Sequence, residues 1–183
     1  LMLCMHGQMF EFPPSFAARS AKGIRPICTH LRYIPDFCHW NGQVILGADD
    51  ASMMQNPLCG QAQSNLWFGT VEGLREFGPA AGWGGVWLDD PVRAGEPSEP
   101  YLFAGYRERT IHIVHDASTP VRFSLQVGDD GAEAWRELES IEVPPGTYSA
   151  NVLPQGDPGE WLRVIASADC RATVYLHYAS PRP

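Results

Sequence analysis

The sequence lacks any long apolar run and any excess of basic residues. No stretch approaches the roughly 20 apolar residues that a membrane-spanning helix requires. The 183 residues include 13 Lys and Arg against 21 Asp and Glu, which gives a formal net charge of −8. Nucleic acids and anionic membranes are bound through clustered Lys and Arg. The sequence therefore predicts no membrane span and no nucleic-acid partner.

Helical periodicity is also lacking. The best candidate for a helix, VEGLREFG at 71–78, spans at most two turns. The chain instead contains 18 Gly and 16 Pro, a composition typical of many short strands joined by turns. We therefore expect an all-β protein.

The cysteines do not form a recognisable disulfide framework, because an odd number of them occurs at irregular spacing. We expect buried apolar thiols, while a bridge between Cys28 and Cys38 stays open. The order of Cys and His in CTHLRYIPDFCHW does not match the spacing of structural zinc sites, so no metal site is predicted. The five cysteines are Cys4, Cys28, Cys38, Cys59 and Cys170.

Common catalytic motifs are absent as well. The sequence contains no G-x-S-x-G, P-loop, G-x-G-x-x-G or H-E-x-x-H pattern. Serine hydrolases, nucleotide-binding proteins and zinc metalloproteases of these types are therefore not supported.

Short alternating segments dominate the second half of the chain. In VRFSLQV, at 121–127, apolar and polar residues alternate strictly, as in a strand with one buried face. Similar segments recur about every 8–12 residues between turn signals, which is typical of an antiparallel β-sandwich. We assign residues 101–183 to this sandwich.

The first half has the size of one propeller blade. Asn41-Gly42 separates DFCHW from QVILGA, and this dipeptide is the strongest short signal for a hairpin turn. With HLRYI before them and SNLWFGT after them, these segments predict four antiparallel strands, about one blade. We assign residues 1–78 to a blade-like region of an incomplete propeller, and 79–100 to a linker rich in Gly, Pro and Trp.

Candidate site residues cluster around the predicted blade. His30 and Arg32 would share one face of a strand, where Arg could bind a carboxylate and His could act as acid or base; an ordinary surface pair is the alternative. Asp49 and Asp50 begin an amide-rich loop, and they are either catalytic carboxylates or turn-capping residues. The residues expected to bind substrate are Arg32, Gln61, Gln63, Asn65, Trp83 and Trp87.

A further acidic turn occurs in VGDDGAEAW at 127–135. It does not satisfy the calcium-binding EF-hand pattern, and it only approaches the Asp-box of sialidases. A plain hairpin turn is expected there, with calcium binding as the alternative; no other cofactor is predicted.

The segments LRYIPDFCHWNGQVILGADDA, NLWFG and AGWGGVWLDD, followed by a sandwich, resemble the C-terminal part of bacterial carbohydrate-active β-propeller proteins of the sialidase-like kind. The resemblance implies a glycan partner, a missing N-terminal propeller region and a secreted or periplasmic location. If the protein is an enzyme, we expect glycosidic-bond cleavage by a hydrolase or lyase, and the residues chosen above, His30, Asp49 and Asp50, are the expected catalytic groups. The alternative is a non-catalytic module for carbohydrate binding or structural assembly.

Overall fold

The computed structural model describes residues 1–5, 7–17, 22–30, 33–49, 64–129, 134–156 and 158–180. Within these ranges the chain forms fourteen strands and one short helix, α1 (Val71–Leu74), so the predicted all-β class is confirmed. No helix among the described residues has the length and apolar character needed to cross a membrane. The strands are β1 (Met2–Met5), β2 (Gln8–Glu11), β3 (Arg25–Thr29), β4 (Tyr33–Trp40), β5 (Gln43–Asp49), β6 (Ser64–Gly69), β7 (Ala81–Val92), β8 (Tyr101–Leu102), β9 (Glu108–His115), β10 (Val121–Gly128), β11 (Arg136–Val143), β12 (Ser149–Val152), β13 (Trp161–Ala166) and β14 (Cys170–Ala179).

The last eight strands form two four-stranded antiparallel sheets. The front sheet has the order β12-β9-β14-β7, and the back sheet has the order β11-β10-β13-β8. The chain crosses repeatedly between the two sheets, and the first and last of these eight strands, β7 and β14, pair with each other. This is the strand arrangement of a jelly roll.

The segment assigned to a linker differs from that expectation. Ala81–Val92 forms β7, a strand of 12 residues at the edge of the front sheet. Glycine fits in this strand because side chains of the sandwich occupy the positions that side chains of β7 would otherwise take. A Cβ at Gly84, for example, would lie 2.2 Å from the Tyr101 hydroxyl. Pro91 is compatible with an edge strand, where one side of the backbone needs no ladder partner.

The core of the jelly roll is apolar and comes from the inner faces of both sheets. Fully buried residues include Val121, Phe123 and Leu125 from β10, and Val174 and Leu176 from β14. The strict alternation in VRFSLQV therefore has the predicted meaning. Burial of each large apolar side chain contributes about 1.5–3 kcal/mol.

The first six strands form two three-stranded antiparallel sheets. The N-terminal sheet has the order β1-β2-β3, and the hairpin sheet has the order β4-β5-β6. Asn41 and Gly42 both have positive φ, at 49° and 76°, and connect β4 to β5, so the predicted hairpin is confirmed. Where a separate strand was expected at 30–34, Tyr33 instead begins β4. The assignment to a propeller blade remains a prediction.

The thiols with described positions are all free. Cys28 is buried in a small apolar cluster with Met9 and Ile27, whereas Cys38 is exposed on β4. The bridge between Cys28 and Cys38 that the sequence left open is therefore not formed in this structure. Burial is the main cause that raises the pKa of the Cys28 thiol to about 11.

A buried carboxylate attaches the N-terminal sheet to the jelly roll. Glu160, only 2% exposed, accepts hydrogen bonds from the backbone N–H groups of Gly23 and Ile24. Its Oε1 also lies 3.4 Å from the guanidinium of Arg25. At the other end of β3, the Thr29 hydroxyl donates to the Pro79 carbonyl at 2.7 Å, shortly before β7. These contacts connect both ends of β3 to the rest of the protein.

We predict that Glu160→Ala lowers the free energy of unfolding by about 2–3 kcal/mol, because it leaves buried N–H donors without their charged acceptor. Urea denaturation measures the change. Glu142→Ala is the matched control, since the Glu142 carboxylate lies 3.6 Å from Arg122 on the surface and such pairs contribute at most about 1 kcal/mol. Equal losses in the two variants would contradict the role of Glu160.

Candidate functional site

The predicted site residues are not gathered in one place. The described side chains among them are those of His30, Asn65, Trp83 and Trp87, and Asp49 is the last residue of β5. The predicted residues that lie outside the described part of the chain are Arg32, Asp50, Gln61 and Gln63.

His30 and Asn65 line the same cavity. It has a volume of about 880 Å³ and lies between the end of β3, the hairpin sheet and residues 77–79. Apolar side chains form most of the wall, including Trp67 and Phe77, whose rings meet edge to face at 5.0 Å. His30 Nε2 lies 3.5 Å from Cys4 Sγ. A cavity with such walls is better suited to apolar groups than to a polyhydroxylated chain.

Trp83 and Trp87 lie on opposite sides of β7. Trp83 pairs with His177 and is 68% exposed, whereas Trp87 pairs with the buried Val174 and packs against the core. An extra residue in β7 between Gly85 and Trp87 shifts the register and reverses the alternation of side chains. Sequence spacing alone would place both tryptophans on one face.

The exposed face of the front sheet carries a set of uncharged side chains, which we call the outer face. Cross-strand pairing places Val152, Thr110, His177 and Trp83 in one row, and Ala150, His112, Tyr175 and Gly85 in the next. Val114 pairs with Thr173 in a third row, and Tyr148 directly precedes β12. The outer face consists of Trp83, Gly85, Thr110, His112, Val114, Tyr148, Ala150, Val152, Thr173, Tyr175 and His177.

Four rings of the outer face contact one another. Tyr148 stacks on His112 with ring centroids 5.9 Å apart, and its hydroxyl is hydrogen-bonded to Nδ1 of that histidine. His177 Nδ1 lies 2.9 Å from His112 Nε2. Tyr175 meets His177 edge to face at 5.4 Å. The hydrogen bonds and ring contacts hold these side chains in fixed orientations.

The eleven residues of the outer face include no Asp, Glu, Lys or Arg. Strand alternation places two exposed charged residues on the same side of the sheet, at its two ends: Glu108 at the start of β9 and Arg171 near the start of β14. Burial, and secondarily the neighbouring His177, lowers the pKa of His112, which favours its neutral form at neutral pH. The nearest charges border the face: the Arg171 guanidinium lies 2.8 Å from Asp89 Oδ2, and this hydrogen bond lowers the pKa of Asp89. The face therefore offers rings, imidazole nitrogens and hydroxyls in an otherwise acidic protein.

Sequence reasoning did not select His112, Tyr148, Tyr175 or His177 as site residues. The local signal was present, because TIHIVH and VYLHY alternate apolar and polar residues, and Ile111, Ile113 and Leu176 are buried. The strand order, which places β9, β14 and β7 side by side, cannot be read from the local sequence.

No metal centre is evident among the described residues, which contain no group of three or more His, Cys, Asp or Glu suited to hold an ion. The acidic turn in VGDDGAEAW, where calcium was the alternative, lies largely outside them, because residues 130–133 are not described.

No protein-family model and no curated protein matches the chain. The matches among solved structures are of low similarity. A structure titled "Bacillus endospore appendages form a novel family of disulfide-linked pili" is 14% identical, with a TM-score of 0.37 over 56% of this chain and 91% of the other. One titled "Structure of infectious bursal disease virus Gx strain" is 12% identical, with a TM-score of 0.35 over 79% and 41%.

A third solved structure, titled "CBM4 structure and function", is 13% identical, with a TM-score of 0.27 over 82% of this chain and 78% of the other. At these identities and scores, none of the three similarities assigns a family or a function to the chain.

We predict that His112 makes the folded state less stable in acid. Its pKa is lowered in the folded protein, so the unfolded chain binds more protons as the pH falls below about 6.5, and stability is lost toward the lowered folded pKa. The melting temperature should fall between about pH 7.5 and pH 5, and His112→Asn should reduce that fall. An unchanged pH dependence in the variant would contradict this assignment.

Proposed function

We propose that the chain binds carbohydrate, and that the outer face of the jelly roll receives a neutral polysaccharide. The observation that carries the proposal is an uncharged aromatic face on one sheet, with Trp83 68% exposed and Tyr148 63% exposed. Contiguous exposed aromatic surface on a folded domain marks an interaction site. Aromatic rings present both an apolar face and, in Tyr and His, a polar group.

The chemistry of the face fits a sugar chain. Pyranose rings have apolar C–H faces that can stack on Trp83 or Tyr175, and their hydroxyls can exchange hydrogen bonds with Tyr, Thr and His side chains. The ring contacts among Tyr148, His112, His177 and Tyr175 order these groups before a ligand binds, which reduces the entropic cost of binding.

The dimensions of the face support a short stretch of polymer as the ligand. Two of its rows cross all four strands of the front sheet. Adjacent strands lie about 4.8 Å apart, so a row extends about 14 Å. A row of that length can contact several consecutive sugar residues.

Binding is the function that the outer face supports, rather than cleavage. Glycosidases require two carboxyl groups about 5–10 Å apart on either side of the scissile bond, and the outer face contains no carboxylate. Glycosidic-bond cleavage by His30, Asp49 and Asp50 stays a separate prediction, as do the propeller region and the secreted or periplasmic location.

We predict that Trp83→Ala weakens binding to neutral polysaccharides by about tenfold or more, because truncating a highly exposed Trp of a binding surface removes at least about 1.4 kcal/mol. Affinity gel electrophoresis with a panel of glucans, xylans, mannans and galactans measures the retardation. Trp40→Ala is the matched control, since Trp40 is 61% exposed but lies on the hairpin sheet.

Equal retardation of the Trp83→Ala and Trp40→Ala variants, or no retardation of the wild-type protein by any polysaccharide, would contradict the proposal. Light scattering on the same variants tests the alternative of an assembly module. Self-association that depends on concentration and disappears in Trp83→Ala would favour the assembly role over glycan binding.

A further inference from the structure

A second, smaller cavity lies where the N-terminal sheet meets the edge of the jelly roll that contains β7 and β8. Its volume is about 400 Å³, within the range of small-molecule pockets. Met5, Gln8 and Phe10 from β1 and β2 form one wall. The opposite wall comes from β7, β8, Tyr106 in the β8–β9 connection, and β14. We call this cavity the tyrosine pocket.

Three tyrosines converge in the tyrosine pocket. The ring of Tyr178 lies 4.7 Å from that of Tyr106 and 6.1 Å from that of Tyr101, measured between centroids. Glycines on β7 leave room for the other two hydroxyls. A Cβ at Gly82 would lie 3.1 Å from the Tyr106 oxygen, and a Cβ at Gly84 would lie 2.2 Å from the Tyr101 oxygen.

The hydroxyl of Tyr178 has unused hydrogen-bonding capacity. The residue is only 5% exposed, and its hydroxyl makes no hydrogen bond within the described part of the chain. A buried polar group without a partner is uncommon in folded proteins and calls for an explanation. Among the described residues, the Tyr106 hydroxyl makes a single long hydrogen bond, 3.4 Å to Gln8 Oε1.

The tyrosine hydroxyls are neutral over the ordinary pH range. Burial is the main cause that raises the pKa of Tyr106 to about 12 and raises the pKa values of Tyr101 and Tyr178 as well. Each hydroxyl can therefore both donate and accept. Among the residues that the structure describes, no charged side chain lines the pocket, so the composition of its wall favours a neutral ligand that carries hydroxyl groups.

We propose that the tyrosine pocket binds the terminal sugar residue of a neutral glycan, so that the protein recognises chain ends. Trp83 lies on the edge strand β7, belongs to the outer face and also lines the pocket, so a chain that crosses the outer face and bends around this edge can end in the pocket. The apolar sugar face would pack on the tyrosine rings, and its hydroxyls would bond to Tyr178 and Tyr106. This inference rests on the proposed glycan-binding function.

The test uses methyl glycosides of neutral hexoses, which represent a single terminal residue, with isothermal titration calorimetry or NMR titration as the readout. Wild-type protein should bind at least one of them, and Tyr178→Phe should bind it about tenfold more weakly, because only the hydroxyl is removed. Trp40→Ala, altered on the hairpin sheet, should bind like the wild type. Phenol, a flat ring without the sugar hydroxyls, should bind more weakly than the glycoside.

Thermal unfolding provides a second readout. The Tyr178 hydroxyl has no hydrogen-bond partner among the described residues, and removing such a hydroxyl breaks no hydrogen bond with them, so Tyr178→Phe should melt at or above the wild-type temperature. A clear fall in the melting temperature would show that the hydroxyl serves folding, and would overturn the proposal.

The outcomes separate the pocket from the outer face. Suppose that polysaccharides retard the protein, but methyl glycosides bind the wild type and Tyr178→Phe equally, or bind neither. The proposal that the tyrosine pocket binds a terminal sugar is then overturned, and the proposed glycan-binding function of the outer face stands. Tighter binding of phenol than of any glycoside would also overturn the pocket as a sugar site. If neither polysaccharides nor methyl glycosides bind, both proposals fail.

Discussion

Apolar packing between the two sheets of the jelly roll is the interaction on which the rest of the structure depends. β14 lies inside the front sheet and directs Val174 and Leu176 into the core. Because side chains alternate along a strand, the same register directs Tyr175 and His177 to the outer face. A slip of one residue would expose the core residues and bury the rings. Core packing and site geometry are therefore fixed by one register.

The edges of the jelly roll show how the N-terminal strands contribute. β7 and β8 are edge strands of the front and back sheets, and unpaired edges invite association with other chains. Gln8 of β2 donates a hydrogen bond to the Ala81 carbonyl and accepts one from Tyr106. The N-terminal sheet therefore lies against the edge of the sandwich that contains β7 and β8, and it forms one wall of the tyrosine pocket.

Much of this architecture could be predicted from local pattern. Alternation in VRFSLQV and the Asn41-Gly42 turn each depend on a few neighbouring residues, and both have the predicted structure. β7 was missed because Gly and Pro were taken as signs of a linker, whereas Gly82 and Gly84 accommodate tyrosine rings of the sandwich. The site was harder to predict, since His112 and His177 meet across 65 positions of sequence, and only strand order brings them together.

The attachment of Glu160 has a consequence for how this protein can change over evolutionary time. Because the carboxylate is held by main-chain donors at positions 23 and 24, the identity of the side chain at Ile24 matters little to that junction. Gly23 is different, since its φ of +102° disfavours any residue with a Cβ. Descendants of this sequence should therefore drift at position 24 while retaining glycine beside it, and a search for related chains can use that contrast.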